Sequence, residues 1–437
     1  MDRLMNSPLR IGMLGCGVVG TGLLHLLRER ASDIEQAVGA PLRVTRVAVA
    51  DPKKPREAAL EGATLGQDAM AVAEAEDIDL LVEVMGGADR ALLPVTRALE
   101  RGLPVVTANK LLVANHGAEL EAVAARTGAA LRYEASVAGV IPVLQILDHG
   151  LRTERFQLIV GILNGTTNYI LSTMEREGRD FAEALDAARK LGFAESDPSL
   201  DLSGADTAQK LTILVRRAFP ASIEPSTIPT EGIVGMELED LRQADRFGYV
   251  AKLLGIALRT PGGLDVRVHP AFIPKRYLLA SVRDEFNGIY LRGEASGSMM
   301  LYGKGAGAFP TAQAVLGDVL SLAKERGRPA AAGAKPRAGR HREEELSRLS
   351  PDEVRTKYYL RLIVEDRPGV LAQVAHRLGG AGVSVAQMFQ EPGVRGESSI
   401  TMLTHEARDK DVRDAVQAIA SLPAIRKKPR AVRIFDI

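Results

Sequence analysis

Between Glu195 and Lys210 the chain reads ESDPSLDLSGADTAQK, which places Glu195, Asp197, Asp201 and Asp206 within twelve residues and closes on Lys210. The preceding FAEALDAARKLGFAES has amphipathic helical spacing and stops at Gly192, and Pro198 and Gly204 break regularity before a new helix starts near Ala205. Asp206 and Lys210 then stand at i and i+4 on one helical face. Two readings of this pair are open. A solvent-facing pair stabilises a helix by only a few tenths of a kcal/mol. A pair inside a cleft does chemistry: Asp206 orients an ammonium at Lys210 that gives a proton to, or takes one from, a substrate oxygen. Glu195 would then hold the ammonium of an amino-acid substrate.

A second cluster of chemistry-bearing residues lies near the start. Leu9 to Leu14 reads as a β-strand, GCGVVG as a loop and TGLLHLLRER as a helix. Gly15 permits a tight turn, Gly17 lets backbone approach a pyrophosphate, and Gly20 permits close helix packing. Val18 and Val19 open the helix whose N-terminus faces the anion. The next strand, LRVTRVAVA, ends at Asp51, placed to bind a ribose hydroxyl of NAD, whereas Lys53, Lys54 and Arg56 just beyond suit the 2′-phosphate of NADP. Either coenzyme fits, and either lets Lys210 move a proton while hydride moves at the adjacent carbon. Cys16 reads as a small filler between glycines, not a nucleophile. Further strands IDLLVEVMGG and LPVVTANK deliver Gly86, Gly87, Thr107, Asn109 and Lys110 to the same crevice. His116 reads as a surface or capping residue.

Past Leu131, Glu134 precedes a small-residue turn with Gly139 and Pro142. Carbonyls and one carboxylate there suit a group I or II cation, and a plain helix entry is the competing reading. A strand FQLIVGIL then ends in Asn164-Gly165-Thr166-Thr167, which opens a helix and offers amide and hydroxyl contacts to substrate.

These segments need large scaffolds, and 437 residues supply two or three domains. Apolar residues make up 46% of the chain, and 56 Lys+Arg against 55 Asp+Glu leave no field to attract a polyanion, so neither nucleic acid nor a membrane is an expected partner. One cysteine excludes an internal disulfide and fits a reducing cytoplasm. The expected class is α/β: a dinucleotide-binding domain over 1–140, an α+β substrate domain over 141–325, a linker over 326–353 and a C-terminal unit over 354–437. The linker is rich in Ala, Gly, Pro and charge, so its AGRHR cluster reads as part of a solvated tether before it reads as a basic patch. Few contacts are expected across it. The C-terminal unit reads βαββαβ from the alternating YYLRLIVED to the last AVRIFDI.

Taken together, GCGVVG, EVMGG, TANK, NGTTNYIL, LGFAESDPSLDLSGADTAQK and YGKGAGAFPTA, in this order over about residues 9 to 325, resemble homoserine dehydrogenase. The resemblance implies a Rossmann-type domain and reversible NAD(P)-dependent reduction of L-aspartate 4-semialdehyde to L-homoserine, in the biosynthesis of threonine, methionine and isoleucine. It implies Lys210 as the proton-transferring lysine, Lys110 as a second active-site lysine, Asp206 as their support, and Glu195 and Asp201 as substrate-binding acids. It also implies a structural sodium ion at Glu134, Val137, Gly139 and Ile141, a late coenzyme contact at Gly305, and a helix near Pro310 that returns to the first domain. Two positions depart from the family: Phe193 stands where some members have Tyr, and Ala50 where many have Arg beside the coenzyme. The C-terminal βαββαβ is similar to an ACT domain of ferredoxin-like fold, whose DRPG turn before a helix binds amino acids. Asp366, Gly369 and Val370 are the matching positions, threonine is the implied effector, and a dimerisation module is the competing reading. A homodimer or homotetramer is expected. An alternative for the whole chain is a non-catalytic amino-acid sensor that kept a nucleotide fold, against which stand Lys110 and Lys210. An acyl-enzyme mechanism is excluded by the lack of a second cysteine.

Overall fold

A computed structural model of the chain describes residues 7–56, 60, 62–325, 345–393 and 396–436. Six short strands, β1 (Leu9–Leu14), β2 (Leu42–Ala48), β3 (Thr64–Gly66), β4 (Leu80–Glu83), β5 (Val105–Thr107) and β6 (Leu131–Arg132), form one sheet in the order β3-β2-β1-β4-β5-β6. Every pair in it is parallel. Helices cover both faces of such a sheet, which is why β1, β4 and β5 read as nearly unbroken apolar runs and are buried almost throughout. The strand order reverses between β1 and β4, and the crevice past their C-terminal ends is where this topology binds ligands.

The second sheet begins with β7 (Phe156–Ile162), β8 (Tyr249–Thr260), β9 (Gly263–Pro274), β10 (Phe286–Gly293) and β11 (Gly297–Lys304), all paired antiparallel in the order β11-β10-β7-β8-β9. The helix that follows Asn164, Gly165–Glu177, and the one that carries Asp206 and Lys210, Ala205–Ala218, pack on this sheet. The helix Ala308–Glu325 leaves it and lies along Val18–Glu29. There a β-carbon on Gly22 would come within 2.9 Å of the Ala308 carbonyl oxygen, so the two backbones approach closely.

The C-terminal unit has strands β12 (Arg355–Glu365), β13 (Val385–Pro392), β14 (Glu397–Thr404), the two-residue β15 (Ala407–Arg408) and β16 (Arg430–Ile434), with helices Val370–Gly380 and Asp409–Ala420. Its order β16-β12-β14-β13 is that of a ferredoxin-like fold. This unit is not a separate body on a tether. β16 pairs in parallel with β9 through Arg433 against Ala271 and Ile434 against Phe272, so both units share one ten-stranded sheet.

Side chains reinforce the junction. Arg361 donates to Asp240 and Glu237, both at 2.7 Å, Arg246 lies 2.6 Å from Glu391, and the Phe272 and Tyr359 rings meet edge to face at 5.0 Å. The expectation of few contacts across the linker is therefore corrected, and the reason is pairing between strands far apart in sequence. Of the expected linker, 326–344, with the AGRHR cluster, lies outside the described residues. The remainder is not a solvated tether, because Leu264 donates its backbone N–H to the Ser347 carbonyl and Leu349 donates to Leu264.

Candidate active site

The phosphate loop is built as its glycines require. Gly15 has φ +94, a left-handed conformation in which a side chain would also strike the Val84 and Met85 backbone at 2.7–2.9 Å. At Gly17 the opposite holds: nothing lies within 4 Å of its β-carbon position, leaving backbone open at the start of the Val18–Glu29 helix. A cleft of about 780 Å³, open to solvent, extends from this loop past Asp51, Lys54 and Arg56 to Gly86. A dinucleotide fits these residues. The Asp51 carboxylate accepts a hydrogen bond from the Lys53 N–H, and Arg56 is anchored by donating to the carbonyl oxygens of Asp51, Pro52 and Lys54.

Glu83, at the end of β4, organises the next part of the crevice and is a residue to which sequence reasoning assigned no role. It is fully buried and accepts hydrogen bonds from Thr107 Oγ1 at 2.5 Å and the Met85 N–H at 2.8 Å. Burial nevertheless pushes its carboxyl pKa above the ordinary range. The signal was present in IDLLVEVMGG, where one acid interrupts an otherwise buried strand. Thr107 thus serves Glu83, while Asn109 caps the helix Lys110–Thr127 through Leu112 and ties it to the Gly87 carbonyl at 2.6 Å. That cap sets where Lys110 begins.

Lys110 comes from the first domain and Lys210 from the second, and both end on one carboxylate. Lys110 Nζ donates to Asp206 Oδ1, and Lys210 Nζ donates to Asp206 Oδ2 at 2.8 Å and to the Leu163 carbonyl at 2.7 Å. The helix begins at Ala205, so Asp206 and Lys210 are one turn apart as the spacing predicts. Asp206 is only 2% exposed. Burial alone would raise its pKa, but two ammonium groups hold it below the ordinary carboxylate range. Burial in turn lowers the pKa of Lys210, partly opposed by Asp206. Lys110 keeps 38% of its side chain exposed, against 11% for Lys210. Lys110 therefore faces the solvent side of the site and Lys210 its floor.

Asn164 bridges this pair to the other acids, with Nδ2 donating to Asp206 Oδ2 at 2.8 Å and Asp201 Oδ1 at 2.7 Å. Its Oδ1 caps the helix at Thr167. Of the residues expected to meet substrate, Asp201 joins the cluster, whereas the Thr166 hydroxyl donates to the Phe193 carbonyl at 2.6 Å and Gly165 packs against the Glu285 carbonyl. Glu195 is exposed, with no hydrogen-bond or ion-pair partner among the described residues, and stays available to a ligand. At Gly305 a β-carbon would lie 1.7 Å from Asn287 Oδ1, so its tolerance for only a hydrogen is steric.

Around Glu134, the carboxylate accepts the Leu144 and Gln145 N–H groups at 2.9 and 2.7 Å. Burial raises its pKa to about 8, with Asp318 nearby adding to the effect. Ala138 and Gly139 are both left-handed, at φ 55 and 57, which turns the 137–141 backbone sharply. A buried carboxylate beside a tight turn of backbone is a donor set that suits a monovalent cation. In the C-terminal unit, Gly369 precedes the Val370–Gly380 helix, and Asp366 is exposed in the turn before it, tied to the Gly396 carbonyl through its N–H.

Comparison with known proteins agrees with this architecture. A family model described as homoserine dehydrogenase matches residues 142–320, one described as homoserine dehydrogenase, NAD binding domain, matches 15–134, and an ACT domain model matches 358–424. A homoserine dehydrogenase of Corynebacterium glutamicum is 38% identical over 437 residues, covering 98% of this chain and 96% of that protein, and one of Bacillus subtilis is 34% identical over 431 residues with 98% of each covered. The crystal structure of a homoserine dehydrogenase from Thiobacillus denitrificans superposes with a TM-score of 0.91 at 38% identity over 99% of each chain.

Proposed function

The chain belongs to the homoserine dehydrogenase family, and from that premise we propose how its residues divide the work. The activity is the NAD(P)-dependent interconversion of L-homoserine and L-aspartate 4-semialdehyde. When bound, the nicotinamide coenzyme supplies or accepts the hydride at the substrate carbon. Lys210 handles the proton at the oxygen on that carbon. Its ammonium already donates to Leu163 and Asp206, and one N–H remains for the substrate oxygen. Lowering of its pKa by burial brings it closer to the range where a lysine can exchange a proton at neutral pH. Asp206 is a positioning residue that holds both lysines. Lys110, half open to the crevice, adds positive charge beside the oxygen as negative charge develops there.

Glu195 and Asp201 take the substrate ammonium, with Gly165 and Thr166 shaping the wall beside them. Gly15, Gly17, Val18, Val19, Gly20, Gly86, Gly87, Asn109 and Gly305 form the coenzyme cradle, and Arg56 with Lys54 favours NADP over NAD. Glu134 with the carbonyls of Val137, Gly139 and Ile141 holds a sodium ion, which neutralises a buried carboxylate. The ACT domain binds threonine at Asp366, Gly369 and Val370 as feedback inhibitor, and the protein works as a homodimer or homotetramer in the cytoplasm. The observation carrying this reading is a single buried aspartate shared by lysines from two domains, one of them next to Asn109, which bonds the Gly87 carbonyl. Lys210→Ala tests it: oxidation of homoserine should fall by about 10²- to 10⁴-fold while coenzyme affinity stays within a few-fold. Near-normal turnover would remove Lys210 from the chemistry.

A further inference from the structure

Where β9 runs beneath the C-terminal unit, Asp265, Arg267 and His269 alternate along the strand and so project from one face. They line a cavity of about 210 Å³, partly open to solvent and bordered by Thr230, Asp409 and Arg433. The polar groups inside are not mutually satisfied. Arg267 is 7% exposed, and its Nε and Nη1 have no hydrogen-bond partner among the described residues; it has only an ion pair to Asp265 at 3.2 Å. His269 is 3% exposed, and its Nε2 also has no partner. His269 Nδ1 meets the Pro270 carbonyl at 2.9 Å, which fixes the proton on Nδ1 and leaves Nε2 as an acceptor. Arg433, by contrast, is paired with Asp409 and Glu231.

A buried guanidinium N–H at Nη1 and a buried imidazole acceptor without partners are rare in a finished core, because each loses its water without replacement. The free groups are the charged N–H donors of Arg267 Nη1, which match a carboxylate, and a neutral acceptor, which matches an N–H or O–H donor a few bonds away. We propose that this cavity, at the junction of the dehydrogenase sheet and the ACT domain, binds a small carboxylate carrying a donor on its neighbouring carbon, an α-amino or α-hydroxy acid. It is distinct from the turn at Gly369.

Occupancy would be felt at the active site through a short path. A β-carbon on Gly204, the residue that starts the Asp206–Lys210 helix, would sit 3.0 Å from Thr230 Cγ2 and 3.2 Å from Val268 Cγ1. The cavity wall therefore touches the entry to the catalytic helix, and a ligand that moves Thr230 or β9 shifts the position of Asp206.

The test is isothermal titration of the full-length protein with L-threonine, L-alanine, L-lactate, acetate and inorganic phosphate, on wild type, Arg267→Met and Gly369→Val. Binding by L-alanine but not L-lactate identifies amino acids as the ligand class, the reverse identifies hydroxy acids, and acetate and phosphate should be weak. Arg267→Met should weaken binding about 10- to 100-fold, since charge-assisted hydrogen bonds are lost, while Gly369→Val leaves it intact. Homoserine oxidation without added ligand, measured in parallel, should be unchanged in Arg267→Met, which keeps failure of this proposal separate from failure of the catalytic assignment. If Arg267→Met does not fold, wild-type crystals soaked in L-threonine decide the matter: density against Arg267 and His269 supports the site. Water alone in the cavity, density only at Gly369, binding abolished by Gly369→Val but not by Arg267→Met, or binding of none of the probes overturns it.

Discussion

Replacing Asp206 by Asn keeps shape and one acceptor but removes the charge that two lysines share. The carboxylate is 2% exposed and bonded to Lys110, Lys210 and Asn164, so the variant leaves two ammonium groups facing each other across a neutral amide. Removing one partner of a buried ion pair costs about 3 to 5 kcal/mol, and the lower figure applies because Lys110 reaches solvent. That loss should depend on pH in one direction. The Asp206 pKa is depressed in the folded state, so its contribution is present above the unfolded value of about 3.9 and is lost as pH falls toward the folded one. The stability gap between wild type and variant should thus be wide at pH 7 and close in acid. Activity should follow a second sign. Asp206 raises the pKa of Lys210 against the effect of burial, and without it Lys210 loses its proton more readily. Homoserine oxidation, which needs Lys210 to accept a proton, should fall in rate by about 10²- to 10⁴-fold from lost positioning, while its rising limb moves to lower pH. Urea unfolding across pH and kcat/KM profiles for both proteins measure the two effects. A variant with wild-type pH limbs and a stability gap that does not narrow in acid would refute the shared-aspartate argument.

Glu195→Gln should raise KM for homoserine more than it lowers kcat, because a charge-assisted bond to the substrate ammonium becomes a neutral one; unchanged KM returns Glu195 to the solvated surface. Arg56→Ala should lower kcat/KM with NADP⁺ by about ten-fold and leave NAD⁺ nearly untouched, and an equal loss with both would assign Arg56 to loop structure through its three carbonyl contacts. Deletion from Lys357 onward should lower the melting temperature and promote aggregation, because it bares the edge of β9 and leaves Asp240 buried without Arg361; a truncated protein as stable as the full chain would show that the shared sheet does not stabilise the dehydrogenase part.

Local chemistry was the readable part of this sequence. The glycine loop, the i,i+4 relation of Asp206 to Lys210 and the βαββαβ rhythm each follow from patterns confined to a few dozen residues, and each appears in the structure at the expected place. What escaped was non-local. Nothing in TANK says that its lysine reaches Asp206 in another domain, although family resemblance placed both in one site. Glu83 was visible as an acid in an apolar strand, but its partners Thr107 and Asn109 belong to another strand and loop. The fusion of two sheets was least visible, since the alternating apolar positions of β9 and β16 would serve a strand of either domain alone, and their pairing runs through only two residue pairs.

That junction also has a meaning for biosynthesis. Among the described residues β16 follows every other strand in sequence, and it completes a sheet near its middle, between β9 and β12. While the polypeptide is leaving the ribosome, the dehydrogenase sheet can assemble from β7 to β11, but the Ala271–Phe272 end of its β9 edge has no neighbour until Arg433 and Ile434 emerge. An uncovered strand edge is a template for pairing with other chains, and long-range pairing is slow to form. The nascent protein is thus open to association at this edge until β16 has emerged, and that strand acts as its clasp.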